Sequence, residues 1–171
     1  MNKLNLFLII IFAMLKNAFA IEITSSSFES NEFIPPKFTC QGENISPHLA
    51  WKYFPEETES FVIICDDPDA PFKTWVHWVI YDIPKETNKL DAGIPPKEIL
   101  DFGAKQGIND FGNIGYGGPC PPPGKPHRYF FKIFALKKRL NLPPGLDKES
   151  VLKAMEGNII EEAELVGKYK R

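Results

Sequence analysis

The chain has 171 residues, enough for one domain with a sizeable core, and we expect a single domain rather than two. Its 20 lysines and arginines nearly balance its 22 aspartates and glutamates, so the charge indicates neither a nucleic acid nor an anionic membrane surface as a partner. Sixteen prolines and fourteen phenylalanines favour a β-rich fold with many turns over a helical bundle.

The N-terminal segment has the pattern of a secretory signal peptide. A short basic start precedes the apolar run Leu4–Leu15, which is shorter than the roughly 20 residues that a membrane-spanning helix needs. Ala18-Phe19-Ala20 then fits the small-x-small pattern of a cleavage site. We therefore predict that residues 1–20 are a signal peptide and that residues 21–171 form one exported domain, periplasmic or secreted, with no stable membrane span after cleavage. Lys16, directly after the apolar run, leaves an uncleaved signal anchor as the alternative.

Beyond the signal segment, the patterning is mainly that of strands. The two strongest signals are Ser60–Cys65 and Thr74–Asp82, because both are rich in β-branched and aromatic residues. Further strands are predicted at Ile21–Ser27 on a sheet edge, His48–Tyr53, His127–Leu136 and Ala163–Lys170. Residues 85–118 have no regular pattern, and we predict a long irregular excursion, a kind of loop that is often functional.

One helix is predicted near the C-terminus, over Lys148–Glu162. Asp147 has the side chain of an N-cap, and apolar residues recur at helical spacing at Leu152, Met155, Ile159 and Ile160. Gly157 weakens this helix without excluding it.

The predicted strand Thr74–Asp82 carries a histidine among apolar neighbours. In a regular strand alternate residues share a face, so Trp75, His77, Val79 and Tyr81 should face one way and Val76, Trp78 and Ile80 the other. Because both faces are apolar, we expect this strand to be central and His77 to be buried, where it needs a hydrogen-bonding partner.

Three cysteines are present, and an odd number in an exported protein leaves at least one unpaired within the chain. Cys65 lies in a predicted strand and should be a small buried apolar residue. Cys40 and Cys120 lie in predicted loops, so we expect these two to pair if any pair forms. The sequence alone does not show whether they are close enough.

Two proline-stiffened loops each lie beside a histidine. The first, Asp67-Pro-Asp-Ala-Pro71, places two carboxylates before the strand of His77, and its prolines restrict the backbone. The second, Gly115–Pro126, leads into a strand that begins with His127 and Tyr129. Stiff loops can hold a binding site at low entropic cost, so we interpret the two loops as the walls of one small pocket.

Such a pocket suits a small anion, because histidines can donate hydrogen bonds to phosphoryl or carboxylate oxygens. The backbone N–H groups of Gly117, Gly118 and Cys120 should add donors on a loop with little freedom. Asp67 and Asp69 should accept from the other ring nitrogen of the histidines, or bind an ammonium or hydroxyl group of the ligand.

Metal binding and hydrolysis are the alternatives at this site. Aspartates and histidines could bind a metal, but their spacing matches no helical or hairpin metal motif, so we predict no metal and no cofactor. Cys120 could act as a nucleophile with His127, although no activated serine motif is visible. The preferred interpretation is a protein that is not an enzyme.

Five motifs, taken in order, resemble the phosphatidylethanolamine-binding protein family and in particular its bacterial Raf-kinase-inhibitor-like branch. They are Phe38–Pro47 (FTCQGENISP), Asp67–Pro71 (DPDAP), Trp75–Trp78 (WVHW), Gly117-Gly-Pro119 with His127-Arg-Tyr129, and Ala163–Gly167 (AELVG). Each motif is weak alone, but together they span essentially all of the predicted mature chain.

The resemblance implies a mainly β fold, in which a large antiparallel sheet packs against a smaller sheet with a few flanking helices, including one near the C-terminus. It also implies an anion pocket whose residues in this chain would be Asp67, Asp69, His77, Gly118, His127 and Tyr129, with Pro121 as a further wall. We therefore expect a non-enzymatic protein that binds a small anionic ligand or a phospholipid head group. Because members of the family also bind kinases and inhibit serine proteases, a protein-interaction module that inhibits a protease or kinase through surface loops is the alternative.

Overall fold

The computed structural model of the protein describes residues 20–171. The predicted signal peptide lies outside the described residues except for Ala20, so it remains a prediction. In the described part of the chain, no helix is both long enough and apolar enough to cross a bilayer.

The strands of residues 20–171 form two antiparallel sheets, with strands numbered in chain order. The smaller sheet consists of β1 (Glu22–Thr24), β2 (Leu49–Lys52) and β5 (Lys89–Leu90), in that spatial order. The larger sheet consists, in spatial order, of β6 (Lys105–Gln106), β4 (Trp75–Pro84), β3 (Ser60–Asp67), β7 (His127–Leu136) and β8 (Ile159–Tyr169). A helix near the C-terminus, α1 (Lys148–Met155), and a short 3-10 helix (Pro36–Phe38) flank the sheets. The predicted fold class is therefore confirmed.

The larger sheet is the middle layer of the fold, and both of its faces are buried. Alternation along β3 directs Phe61 and Ile63 into the apolar cluster that includes Trp51 of the smaller sheet. Val62 and Ile64 belong to a second apolar cluster, which includes the buried residues of α1. The smaller sheet and the helix therefore cover opposite faces of the larger sheet.

The end of β3 is the point where distant parts of the chain meet. β3 lies between β4 and β7 and is antiparallel to both, so its C-terminal end adjoins the N-terminal ends of both neighbours. Asp67 at the end of β3 is paired with Trp75 at the start of β4. Asp66 is paired with Phe130, three residues after the start of β7 at His127.

A β-bulge interrupts β4 at His77. The pairing with β3 steps from Trp78 directly to Val76, so that His77 has no partner residue on β3. Val76 consequently packs in the same apolar cluster as Val79, whereas Trp78 lies in the cluster that covers the other face. The prediction that Val76 and Trp78 share a face is wrong, because a bulge reverses strand parity and leaves no periodic signal. The ring of His77 lies against Tyr129, with ring centroids 5.1 Å apart.

Helix α1 begins where predicted but ends earlier. The Asp147 side chain is its N-cap and accepts a hydrogen bond from the Ser150 N–H at 2.8 Å. After Met155 the chain turns at Gly157, whose φ of +69° is a left-handed conformation that favours glycine and ends helices. Ile159 then begins β8, so the predicted extension of the helix beyond Met155 is wrong.

The excursion of residues 85–118 contains two short strands and is otherwise irregular, as predicted. Buried amide side chains hold it against the larger sheet. Gln106 accepts a hydrogen bond from the indole N–H of Trp78 at 2.8 Å and donates two to backbone carbonyls of the excursion. Asn109 accepts one from the backbone N–H of Phe111 at 3.0 Å, which holds Phe111 near the end of the sheet.

Candidate ligand-binding site

A cavity of about 290 Å³ lies at the end of the larger sheet, where β3 ends and β4 and β7 begin. Four polar residues line it: Asp67, His77, His127 and Tyr129. Three of these residues are buried, and the side chain of His127 is only 13% exposed. The two histidines therefore share one cavity, as the interpretation of the two loops predicts. That these residues bind a ligand stays a prediction.

The Asp67 carboxylate orients the imidazole of His127. Its Oδ2 accepts a hydrogen bond from Nδ1 of His127 at 2.7 Å, between residues 60 positions apart in the chain. Its Oδ1 accepts one from the backbone N–H of Asp69 at 2.8 Å, which holds the carboxylate in place. Because a carboxylate only accepts, Nδ1 of His127 carries the hydrogen, and Nε2 is the ring nitrogen that a ligand would meet.

His77 is held by the second loop and not by a carboxylate. Its Nδ1 donates to the carbonyl oxygen of Gly117 at 2.6 Å, so the predicted pairing of this ring with an aspartate is wrong. Burial lowers the pKa of His77 from its ordinary value of 6.5, and the Gly117 hydrogen bond and the Asp67 charge oppose this only in part. At pH 7 the ring is therefore neutral, with Nε2 as a hydrogen-bond acceptor.

Two buried donors at the cavity have no hydrogen-bonding partner within 3.5 Å among residues 20–171, although the Tyr129 hydroxyl lies close enough to the Asp67 carboxylate to interact with it. They are the hydroxyl of Tyr129 and the indole N–H of Trp75, and both residues line the cavity. Burial raises the pKa of the Tyr129 phenol, and the Asp67 carboxylate raises it further, so the hydroxyl keeps its proton. Because an unpaired buried donor costs about 1–3 kcal/mol, a ligand oxygen that accepts here would be stabilising.

The remaining walls are mostly apolar and reach the surface. The ring of Phe111 packs edge-on against Trp75 and His77, with centroid distances of 5.4 and 5.5 Å. The rim is completed by Phe72 and by prolines of both loops, namely Pro71, Pro121 and Pro122. The cavity therefore combines a few buried polar groups with apolar walls, a composition typical of sites for small molecules.

Asp69 was predicted to be a site residue but does not line this cavity. Its carboxylate forms a fork with the Arg128 side chain, at 2.8 and 2.9 Å, and also accepts the Arg128 backbone N–H at 2.9 Å. The hydrogen bonds from the Arg128 side chain lower the pKa of the Asp69 carboxyl. Asp69 instead lines a neighbouring surface groove, which also contains Lys125 and Lys168.

Gly118 also lies behind the cavity wall and not on its surface. Its N–H donates to Oδ1 of Asn44 at 2.8 Å, and the N–H of Gly117 donates to the His77 carbonyl at 2.9 Å. The expectation that Gly117 and Gly118 offer free backbone donors is wrong, because both donors are used within the fold. A Cβ at position 118 would lie 2.4 Å from the carbonyl oxygen of Phe38, so glycine is required for this close packing.

A disulfide braces this wall from behind. Cys40 and Cys120 are bonded, with Cα atoms 5.4 Å apart, and are thus the expected pair. Cys120 lines the cavity, and the N–H of Cys40 donates to the carbonyl of Pro119 at 3.1 Å. Because Cys120 has no free thiol, it cannot be the nucleophile that was considered beside His127. Cys65 is the unpaired cysteine and is buried, as predicted.

The sequence model of the phosphatidylethanolamine-binding protein family matches residues 24–170 of the chain. The chain belongs to the phosphatidylethanolamine-binding protein family. A UPF0098 protein of Aquifex aeolicus is 52% identical over 153 residues, covering 88% of this chain and 89% of the relative. A UPF0098 protein of Methanothermobacter thermautotrophicus is 49% identical over 151 residues, covering 88% of this chain and 99% of the relative.

Two solved structures of phosphatidylethanolamine-binding protein relatives share the fold. E. coli YbcL, described as a new member of the mammalian family, has a TM-score of 0.83 and 35% identity, covering 90% of this chain and 99% of its own. CT736 of Chlamydia trachomatis, described as a homologue of the family, has a TM-score of 0.81 and 39% identity, covering 89% and 98%. The resemblance seen in the five motifs is therefore confirmed for the family and its fold.

Three aromatic residues of this phosphatidylethanolamine-binding protein family member were not predicted as site residues, although they line the cavity: Phe72, Trp75 and Phe111. Trp75 had a usable signal, because it lies two residues before His77 on a strand next to the first loop. Phe72 directly follows that loop, and its position there was the only signal. The sequence contains no indication that Phe111 lines the cavity, because the position of this residue depends on the path of the excursion and on Asn109.

Proposed function

We propose that the protein is a non-enzymatic binding protein whose cavity takes a small anionic group, phosphoryl or carboxylate, including that of a phospholipid head group. The observation that supports this proposal most directly is the hydroxyl of Tyr129, a buried donor with no partner within 3.5 Å among the described residues, in a cavity that it shares with the imidazoles of His77 and His127. An anionic oxygen is a strong acceptor and would satisfy this donor together with the indole N–H of Trp75.

The charges of the residues that line the cavity indicate which kind of anion should bind. Among the described residues that line the cavity, none is a lysine or arginine, so a bound anion is held by hydrogen bonds. Nε2 of the neutral His77 either accepts a hydrogen from a protonated ligand oxygen or takes up a proton when the anion binds. The favoured ligand is therefore a monoanion or a singly protonated phosphoryl group, and a multiply charged anion is disfavoured beside Asp67.

We further propose that the protein is exported to the periplasm or secreted. The apolar run Leu4–Leu15 and the cleavage pattern Ala18-Phe19-Ala20 support export. The Cys40–Cys120 disulfide supports it independently, because disulfides persist mainly in oxidising compartments. In such a compartment a phospholipid head group is an accessible ligand.

The three histidines of the chain allow a direct test of the anion proposal by NMR. Inorganic phosphate, phosphoethanolamine and acetate are titrated into the millimolar range while the imidazole resonances are followed. We expect the His77 and His127 resonances to move along one common saturation curve. His48 does not line the cavity and should stay in place, as an internal control. If neither cavity histidine responds to any of the three anions, the proposal is wrong.

A second candidate function is the inhibition of a protease or kinase through the excursion of residues 85–118. Four large apolar side chains there are exposed: Ile99, Phe102, Ile108 and Phe111, at 55%, 37%, 39% and 43%. This function predicts that Ile108→Ser abolishes inhibition while His77→Ala leaves it intact. A protein that inhibits none of a panel of serine proteases and kinases would remove this candidate.

A further inference from the structure

β8 is an edge strand of the larger sheet, and the protein itself pairs with part of its free side. Phe33 forms a parallel bridge with Lys168, near the C-terminal end of β8. The N–H of Ile34 donates to the Lys168 carbonyl at 2.8 Å, and the N–H of Lys168 donates to the Glu32 carbonyl at 2.9 Å. The free side of β8 can therefore receive the backbone of an added segment.

The neighbouring stretch of the same edge is open. The pairing of β8 with β7 is regular after Ile160, which has no partner residue on β7. Alternate residues of a regular strand direct their backbone groups to the same side, so Glu162 and Glu164 direct theirs away from β7, as Lys168 does. Neither the N–H nor the carbonyl of either glutamate has a hydrogen-bonding partner among residues 20–171. Residues 161–164 thus form a sheet edge with free donors and acceptors.

This open edge also carries negative charge. The side chains of Glu162 and Glu164 are exposed and lie on one face of β8, with their Cα atoms about 7 Å apart. Neither carboxylate forms an ion pair or a hydrogen bond in the described part of the chain. Lys132 lies opposite Glu164 on β7, but its Nζ binds the Asp66 carboxylate at 3.1 Å. The charge of the two glutamates is therefore available to a cation from a partner molecule.

The surface beside the edge fits a long basic side chain. A cavity of about 370 Å³ is lined by Lys132 and Phe134 of β7 and by Glu162, Ala163 and Glu164 of β8. A lysine or arginine has an apolar stem and a charged head, so its stem can lie along the Phe134 ring while its head meets a carboxylate. Ala163 lies on the other face of β8 and packs against the apolar core, so the next side chain of an added strand should be apolar.

The same charges exclude a second copy of this chain as the added strand. Pairing of two β8 edges would bring the glutamates of both copies together, and like charges on neighbouring strands are destabilising. A strand with lysine or arginine at alternate positions would instead meet Glu162 and Glu164 with opposite charge. Each such cross-strand pair is stabilising.

We propose that the open edge of β8 is a docking site for an extended basic segment of a partner protein. The backbone of the segment pairs with Glu162 and Glu164, its alternate lysine or arginine side chains meet the two carboxylates, and its other side chains are apolar. Residues 161–164 do not line the cavity that contains His77 and His127, so this inference does not depend on the proposed function.

The test uses the full mature chain and a blocked seven-residue peptide in which lysine and valine alternate. Backbone amide resonances are followed by NMR during the titration, and the Kd is taken from the resonances that move. We expect the amides of Glu162 and Glu164 to move along one saturation curve and to exchange more slowly with solvent. The same peptide with glutamate in place of lysine should bind at least about tenfold more weakly, and salt should weaken binding of the lysine peptide.

Two conservative variants test the charges. Glu162→Gln and Glu164→Gln keep the shape of the side chain, and each should raise the Kd of the lysine peptide about two- to fivefold. Glu98→Gln is the matched control, because Glu98 is also exposed but lies beside β6, at the opposite edge of the larger sheet. This variant should bind the peptide as the wild type does.

A proline tests the backbone contact. Glu164→Pro removes an N–H that points away from β7 and no hydrogen bond of the ladder with β7, and edge strands tolerate proline at such positions. The variant should fold, which its Tm checks, and should lose binding of the lysine peptide. If it does not fold, the two glutamine variants decide the test.

The remaining outcomes overturn the inference. If the lysine peptide moves neither amide, the glutamates only protect the edge from aggregation. If the glutamate peptide binds equally well, or if Glu162→Gln and Glu164→Gln bind the lysine peptide as Glu98→Gln does, the peptide does not add to this edge. Unchanged binding by a folded Glu164→Pro variant would show that the contact is not strand addition.

Discussion

His77 and Gly117 bind each other through two hydrogen bonds. The Nδ1–H of His77 donates to the Gly117 carbonyl at 2.6 Å, and the Gly117 N–H donates to the His77 carbonyl at 2.9 Å. A bulged strand residue and a loop residue, 40 positions apart in the chain, are thereby held in one geometry. The tautomer of His77 follows from this contact. A Cβ at position 117 would lie 2.5 Å from the Phe111 ring, so a larger residue there would displace this ring from the cavity wall.

The stability of the fold should depend on pH through His77. Burial lowers its pKa below 6.5, so as the pH falls through this value the unfolded chain takes up a proton before the folded chain does. The unfolded state then binds more protons, and the free energy of unfolding decreases with falling pH until the folded-state pKa is reached. The slope for this group is at most about 1.4 kcal/mol per pH unit.

Urea unfolding at about pH 7.5 and about pH 5.5 measures this dependence. His77→Gln is the matched variant, because its side-chain amide can still donate to the Gly117 carbonyl but does not titrate. We expect the variant to lose less stability than the wild type between the two pH values. Equal losses in the two proteins would mean that His77 does not cause the dependence.

The hydroxyl of Tyr129 should matter for binding and not for stability. Because this buried donor has no partner within 3.5 Å, Tyr129→Phe should leave the free energy of unfolding unchanged or raise it by up to about 1 kcal/mol. The same change should weaken phosphate binding about fivefold, the effect of one lost hydrogen bond. Chemical denaturation and the NMR titration of the histidines measure the two effects.

Tyr81→Phe is the control for Tyr129→Phe. The hydroxyl of Tyr81 donates to the Pro143 carbonyl at 2.5 Å, away from the cavity lining. Its loss should lower the free energy of unfolding by about 1 kcal/mol and leave phosphate affinity unchanged. If Tyr129→Phe behaves in the same way as Tyr81→Phe, the Tyr129 hydroxyl has a structural role and the anion site is misassigned.

The disulfide should stabilise both the fold and the cavity wall. It joins Cys40 to Cys120 across a sequence separation of 80, and closing a loop of this length should stabilise the protein by about 2–4 kcal/mol. The double variant Cys40→Ala, Cys120→Ala should show this loss in denaturation, together with weaker phosphate binding. A reducing agent should lower the stability of the wild type and leave the double variant unaffected. A wild type that is insensitive to reduction would contradict this role.

Removal of the signal segment should create a new ion pair. The backbone nitrogen of Ile21 donates to Oε2 of Glu161 at 3.0 Å. Cleavage after Ala20 would turn this nitrogen into an ammonium group beside the carboxylate. We expect mass spectrometry of the protein expressed in a bacterium to show a chain that begins at Ile21. Glu161→Gln should then lower the stability of this chain by about 1 kcal/mol, and by less in a chain that retains Ala20 and preceding residues.

An intact N-terminus on a membrane-bound protein would contradict cleavage and favour the uncleaved signal anchor. If Glu161→Gln lowers stability equally in the chain that begins at Ile21 and in the chain that retains Ala20 and preceding residues, the ammonium group does not strengthen the contact with Glu161.

Several elements could be predicted because their signals are local. The bounds of β7, His127–Leu136, agree with the predicted strand, since its aromatic and apolar alternation is continuous. The N-cap Asp147 was identified in the same way, from one side chain before an apolar helical pattern. The choice of Cys40 and Cys120 as the pair, if any pair forms, is confirmed, and it depended on the third cysteine, Cys65, lying within a strand.

Other features have no local signal. The bulge at His77 depends on the register between β3 and β4, which the alternation of β4 alone does not contain. Asp69 could have faced the cavity, but Arg128 offers it two side-chain donors in a fork. The place of Phe111 in the wall depends on how the whole excursion is held by Gln106 and Asn109.

Local sequence was therefore sufficient for the strands, for the start of α1 and for the two histidines beside stiff loops, because periodicity and backbone chemistry act over a few residues. The available nitrogen of each histidine, the unpaired donors of Trp75 and Tyr129, and the aromatic mouth emerged only with the tertiary structure. These features depend on contacts such as that between Asp67 and His127, 60 residues apart, and no local pattern encodes the register that brings such residues together.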